Sequence, residues 1–225
     1  LANNMIKLLK SIVDFIFPES CILCEHELNK TEKHICSSCS PLLSPFDSYI
    51  YDSHKKFMGR IKIENVTAMY IYSKSSYVQK LVHNIKYQGN MELAHTLGKE
   101  YALKNDLSAF DIIIPVPLHS KKMKSRGFNQ SMEWAKGISE HSNIEAKELL
   151  VRVDNNKTQT KRKRIDRWEN VKSSFGLKPG TDLKGKKILL VDDVITIGAT
   201  IESCAQLIRD NNASEVHVAA IGIAH

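Results

Sequence analysis

Nowhere among the 225 residues do about 18 apolar residues run together, the length that a membrane span requires, so no membrane span is expected. The best apolar stretch, Met5–Phe17, is interrupted by Lys7, Lys10 and Asp14, and no small-residue cleavage site precedes the cysteines, which argues against a secretory leader. Its Ile6, Leu9, Val13 and Ile16 recur at helical spacing and predict a helix closed by Pro18. A nucleotide P-loop is also missing. Gly180 and Gly185-Lys186 imitate one, but Lys187 stands where Ser or Thr is needed, and these glycines precede their strand instead of following it. Only 32 residues follow Asp193, too few to complete a phosphoacceptor receiver domain built on the same acidic pair. Val153–Ser174 has no apolar periodicity, and its length and charge suit a flap that orders over a ligand better than a core element.

With 42% hydrophobic residues, the chain can bury one full core and a small satellite. The formal charge is +7, unevenly spread. Lys157–Lys172 holds seven Lys/Arg against Asp166 and Glu169, and Lys121–Arg126 adds four more. These two segments together exceed the total, so the remainder is net negative. Basicity confined to two loops fits a polyanionic ligand, a phosphorylated small molecule or nucleic acid, and equally fits two solvated loops.

Five cysteines are present, four of them as Cys21-x2-Cys24 and Cys36-x2-Cys39. Two such pairs bring four thiolates together tetrahedrally, the requirement of a closed structural zinc site, and this reading is preferred over two disulfides. No open coordination position is implied, so the metal would fold a small knuckle. His26 and His34 read as surface residues, and Cys204 as a small buried hydrophobe. From Pro41 to Gly59 the composition is loop-like, and the domain junction is placed there.

Val66–Tyr72 alternates like a strand, and helices are predicted over Tyr77–Tyr87 and Met91–Lys104, separated by Gly89-Asn90. Asp111–Val116 reads as a buried strand stopped by Pro115 and Pro117. A polar loop, Leu118–Arg126, and a helix over Gly127–His141 follow it. Lys187–Arg209 repeats that plan. Ile188–Val191 is a short apolar run, Asp192 and Asp193 follow, Thr196–Thr200 offers backbone N–H groups and two hydroxyls at a helix start, and Ile201, Ala205, Leu207 and Ile208 share one face. Glu215–Ile223 supplies a last strand. Both loops would lie at the carboxyl edge of a parallel sheet, where such folds bind ligands. One is acidic and hydroxylated, the other basic. A magnesium site on the two acids, completed by a ligand's phosphates, remains an open reading of the pair.

LLVDDVITIGAT resembles the ribose-phosphate signature of the type I phosphoribosyltransferases. PVPLHSKKMKSRGFNQS, the cysteine pairs, IKYQG at Ile85–Gly89 and Gln159, Arg167, Asn170 and Phe175 resemble the ComF competence family within that superfamily. The resemblance implies an α/β fold, a parallel sheet flanked by helices over residues 57–225, with a small N-terminal zinc-binding hood over residues 1–56. It implies that Asp192 and Asp193 bind the ribose hydroxyls of phosphoribosyl pyrophosphate, and that Thr196, Ile197, Gly198, Ala199 and Thr200 bind its 5-phosphate. Leu118, His119 and Ser120, with Arg126, would take the pyrophosphate together with magnesium, under a flap carrying Gln159, Lys161, Arg162, Lys163, Arg164 and Arg167. Ile197 stands where the family usually has Thr or Ser, which removes one hydroxyl worth about 1 kcal/mol of phosphate binding.

Displacing pyrophosphate from a ribose carbon builds positive charge on the sugar and negative charge on the leaving group, so such catalysis rests on positioning and cations. No acceptor pocket or base for a nucleophile is visible, and turnover is left open. Two functions follow. One is a cytoplasmic, magnesium-dependent phosphoribosyltransferase-like protein associated with competence and DNA uptake. The other is a non-catalytic binding module for single-stranded DNA or a helicase partner, using the knuckle and Lys161–Arg167.

Overall fold

The computed structural model describes residues 19–47, 56–153 and 174–224. The expected N-terminal helix, most of the flap and Asn170 lie outside them.

Four parallel strands form the central sheet, in the order β1 (Asn65–Tyr72), β6 (Glu215–Ala224), β5 (Lys187–Ile195), β2 (Ile112–Pro115). The inner strands β5 and β6 read as apolar runs because both faces of the sheet are covered. Alternation sorts them: Leu189, Val191, Ala219 and Ile221 enter one core, and Ile188, Leu190, Val216, Val218 and Ala220 the other.

The first core is roofed by α1 (Tyr77–Tyr87), α2 (Met91–Lys104) and α4 (Gln130–Ser142). Each starts on a capping side chain: Ser76 accepts from Gln79 N, Asn90 from Leu93 N and Asn129 from Ser131 N. The helices α2 and α4 cross at two glycines. A Cβ on Gly98 would lie 2.2 Å from the Trp134 carbonyl oxygen, and one on Gly137 would lie 2.0 Å from that of His95. The second core takes α5 (Ala199–Asp210), Phe57 and Ile63. Arg209 of α5 pairs with Glu64, which also accepts from Val216 N at 2.8 Å.

The four-cysteine segment is continuous with the first core through Cys21, Leu23, Cys36, Cys39 and Leu43. The stretch expected to be loop-like from Pro41 is partly ordered by pairing. A 3-10 turn covers Ser40–Leu42, and Pro45 bridges Tyr70 on the outer edge of β1, with Phe46 N donating to Met69 O at 3.0 Å and Ile71 N to Ser44 O at 2.9 Å.

Three further expectations need correction, and one pairing lies beyond local pattern. Pro115 lies inside β2, opposite Val191; among the described residues the other edge of β2 is bridged at Ile113, with Ala146, and not at Pro115, so the missing N–H costs no ladder bond there. The polar loop after β2 is largely a short helix, α3 (Ser120–Arg126), opened by His119 Nδ1 accepting from Lys121 N and closed by Gly127 at φ 80°. That left-handed glycine delays the next helix to Gln130, so Phe128 precedes it. Finally, Leu150–Arg152 (β3) and Phe175–Leu177 (β4) pair antiparallel, so the basic segment is rooted on a two-stranded ribbon that periodicity over three residues did not reveal.

Candidate functional site

The β5 strand does not end at the acids. Asp192 pairs with Ala220, and Val194 and Ile195 with Gly222 and Ile223, so both carboxylates project from ladder-held backbone. The chain then turns through Thr196 and Ile197, both exposed, to Gly198, the residue before α5, at φ 84°. A Cβ there would lie 2.7 Å from Phe57 Cε1, so this glycine is required by conformation and by contact. No side chain caps the start of α5. Its first backbone N–H groups, with Thr200 half-buried beside them, are placed as an anion site needs. Ile197 is 74% exposed, so its side chain leaves the loop's backbone donors uncovered.

The neighbouring strand β2 leaves the sheet at the same edge, held by Val116 N donating to Val191 O at 2.9 Å. Asn129 locks this exit by donating from Nδ2 to Val116 O at 3.0 Å. Leu118 and His119 are half-buried, and Ser120 is exposed at the start of α3. Lys121, Lys122 and Lys124 are exposed, while Arg126 turns back, donating to Gln130 Oε1 at 3.0 Å and stacking 5.1 Å from the Tyr87 ring centroid. The acidic and basic stretches therefore leave adjacent parallel strands side by side. The described residues bring together the acid pair, the Thr196–Thr200 loop and Leu118–Arg126. Gln159, Lys161, Arg162, Lys163, Arg164 and Arg167 lie outside the description.

Two contacts from the rest of the fold and one within the pair hold the acids. The Ser131 hydroxyl of α4 donates to Asp192 Oδ1 at 2.9 Å, Asp193 N donates to the same oxygen at 2.8 Å, and Lys86 Nζ of α1 lies 2.8 Å from Asp193 Oδ1. Burial, and then the Asp193 charge, push the Asp192 carboxyl up to about 7, against the opposing hydrogen bonds and the Lys86 ammonium. Burial, and then Asp192, likewise push up the Cys204 thiol of α5, which stays a neutral core group. Sequence patterning had singled out neither Lys86 nor Ser131, although each lies in a stretch, IKYQG and FNQS, that carries the family resemblance.

The sulfurs of Cys21, Cys24, Cys36 and Cys39 all lie within 4.8 Å of one another. Cys24 and Cys36 are 3.7 Å apart, and a tetrahedron with metal–sulfur bonds of about 2.3 Å has edges of about 3.8 Å, so the cage fits zinc. Burial opposes ionisation of Cys21, but backbone N–H groups of Cys36, Leu23 and Cys24 outweigh it and bring this thiol down to about 6. Burial carries Cys39 up to about 12.

Known proteins share several of these features. The phosphoribosyl transferase domain family matches residues 129–222, from the cap of α4 to β6. Competence protein F of Haemophilus influenzae is 25% identical over 218 residues, covering 88% of this chain and 94% of that protein. DNA utilization protein YhgH of Escherichia coli O157:H7 is 31% identical over 146 residues, covering 61% of this chain and 63% of that protein. Among solved structures, the allosteric regulatory enzyme of purine biosynthesis superposes with a TM-score of 0.47 at 20% identity, covering 62% of this chain and 30% of that one. Among the described residues no helix is long and apolar enough to cross a membrane. The matched domain, the competence relatives and the four-cysteine cluster are all consistent with the ComF competence family and a phosphoribosyltransferase-like fold.

Proposed function

We propose that the chain binds phosphoribosyl pyrophosphate, with magnesium, at the edge where β2 and β5 end, and acts in DNA uptake. One observation carries this reading: two strand-to-helix connections, one acidic and one basic, leave adjacent parallel strands side by side. Asp192 and Asp193 accept from the ribose hydroxyls, and the backbone N–H groups of Thr196–Thr200 take the 5-phosphate. Leu118–Ser120 and Arg126 face the pyrophosphate; Gln159–Arg167, expected as the flap, lies outside the described residues. Magnesium, when bound, neutralises charge on the leaving pyrophosphate. Positive charge building on the sugar would be met by the carboxylates and negative charge on the leaving group by α3, which suits pentosyl transfer. The cysteines hold structural zinc, folding residues 1–56 as a hood over 57–225. The tie to DNA uptake rests on the relatives, which carry the names competence protein F and DNA utilization protein YhgH.

Titration calorimetry with phosphoribosyl pyrophosphate and magnesium tests the site. Saturable binding by the wild type, weakened at least about tenfold in Asp192→Asn, is expected. Absence of binding by the folded wild type would overturn the reading. The alternative, a non-catalytic module for single-stranded DNA or a helicase partner, rests on the knuckle and Lys161–Arg167, the latter outside the described residues.

A further inference from the structure

The Lys86–Asp193 pair is out of keeping with an ordinary surface ion pair. The two side chains are only 20% and 13% exposed, and a lysine ammonium is strongly hydrated and seldom withdrawn from water without a specific partner. The helix α1 delivers it by anchoring the preceding Ile85 in the core, 1% exposed, while the following Tyr87 turns outward under Arg126. One turn of one helix thus reaches both the acidic pair and the basic stretch. On the other acid, Ser131, itself 3% exposed, performs the matching task from α4. Among the described residues, the three contacts on the pair fall on Oδ1 atoms, which fixes the rotation of each carboxylate and turns Oδ2 towards a ligand.

We propose that Lys86 is a positioning residue that confers specificity for an intact sugar diol, holding Asp193 in the one orientation in which its outer oxygen meets a ribose hydroxyl, with Ser131 doing the same for Asp192. This rests on the ribose-phosphate reading above and goes beyond it. That reading names the acids as ligand contacts, whereas this one says what aims them and what the aim selects. A long cation is suited to the task because its charge strengthens the bond it makes, while its remaining donors stay available to a phosphate oxygen. Without the ammonium, Asp193 would rotate freely and treat a sugar lacking one hydroxyl almost as well as ribose.

Binding of ribose 5-phosphate, 2-deoxyribose 5-phosphate and 3-deoxyribose 5-phosphate is compared for the wild type, Lys86→Met and Lys86→Arg. The wild type is expected to prefer ribose 5-phosphate over at least one deoxy sugar by about tenfold or more, Lys86→Met to lose most of that ratio, and Lys86→Arg to recover part of it. A uniform loss for all three ligands in Lys86→Met would show a merely structural lysine and overturn the proposal, as would an unchanged ratio. Carboxyl-carbon NMR titration of the unliganded proteins keeps the two readings apart. Loss of the ammonium, which opposes the upward shift of Asp192, should raise the Asp192 midpoint further in Lys86→Met, and an unmoved midpoint would overturn the placement of Lys86 beside the pair. A wild type that binds none of the three sugars would overturn the ribose-phosphate site and the diol role together, whereas normal binding with an unmoved ratio removes only the role of Lys86.

Discussion

The Phe57 ring occupies the space that a side chain on Gly198 would need, its Cε1 2.7 Å and its Cζ 2.9 Å from the position of an added Cβ. Phe57 is almost fully buried, so it cannot give way cheaply. Gly198→Ala therefore faces a left-handed backbone cost of about 1–2 kcal/mol and a steric one together. We expect loss of stability by chemical denaturation and at least about tenfold weaker phosphoribosyl pyrophosphate binding. Phe57→Ala should relieve the clash without removing the backbone cost, so the double variant should recover stability only in part relative to the sum of the single changes. Strict additivity would show that the two residues do not press on one another.

Asp192 gives the fold a pH dependence of defined sign. Its carboxyl is raised to about 7 by burial and by Asp193, from an ordinary value of 3.8. Its contribution to stability is thus fully present below about pH 4 and lost as the pH rises through about 7. Asp192→Asn keeps an oxygen able to accept from Ser131 and Asp193 N while removing the charge. Relative to the wild type, the variant should gain stability between about pH 5 and about pH 8, measured by urea denaturation. A constant difference across that range would contradict the buried, charge-coupled environment.

The cysteine cage predicts metal content. Protein purified without chelator should carry one zinc ion per chain by elemental analysis, and its removal should lower the melting temperature and release the segment that docks through Leu23 and Leu43. Cys24→Ser should have the same effect. Two disulfides would instead leave no zinc and no free thiol among Cys21, Cys24, Cys36 and Cys39 in a denatured, unreduced sample.

The α2–α4 crossing tolerates nothing larger than glycine. Gly98→Ala meets the Trp134 carbonyl, and Gly137→Ala meets that of His95, both backbone atoms that move only with their helix. Each substitution should cost about 1–3 kcal/mol or more in urea denaturation. Once the helices have been forced apart, the second should cost less than the first. Because α4 carries Ser131, Gly137→Ala should also weaken ligand binding, while a conservative change at exposed Leu103 on α2 should leave it unchanged.

Local patterns of residues set the local structure. The helices over Tyr77–Tyr87 and Met91–Lys104 follow from apolar spacing and from Ser76 and Asn90 at their starts, and the cysteine cage follows from two short spacings. The order of apolar run, acid pair, turn and helix in Lys187–Arg209 was legible because strand periodicity, a phosphate-ready turn and a helical face follow one another directly. Tertiary structure decided the rest. The strand order β1-β6-β5-β2 is what sets the two connections side by side, and no local pattern encodes it. Nor does any local pattern encode Lys86 reaching Asp193, Ser131 reaching Asp192, or Phe57 lying beneath Gly198. These contacts join residues more than sixty positions apart. Backbone hydrogen bonding and periodicity act within a turn or a strand, whereas the aim of a side chain across the sheet edge is set only when both cores have packed.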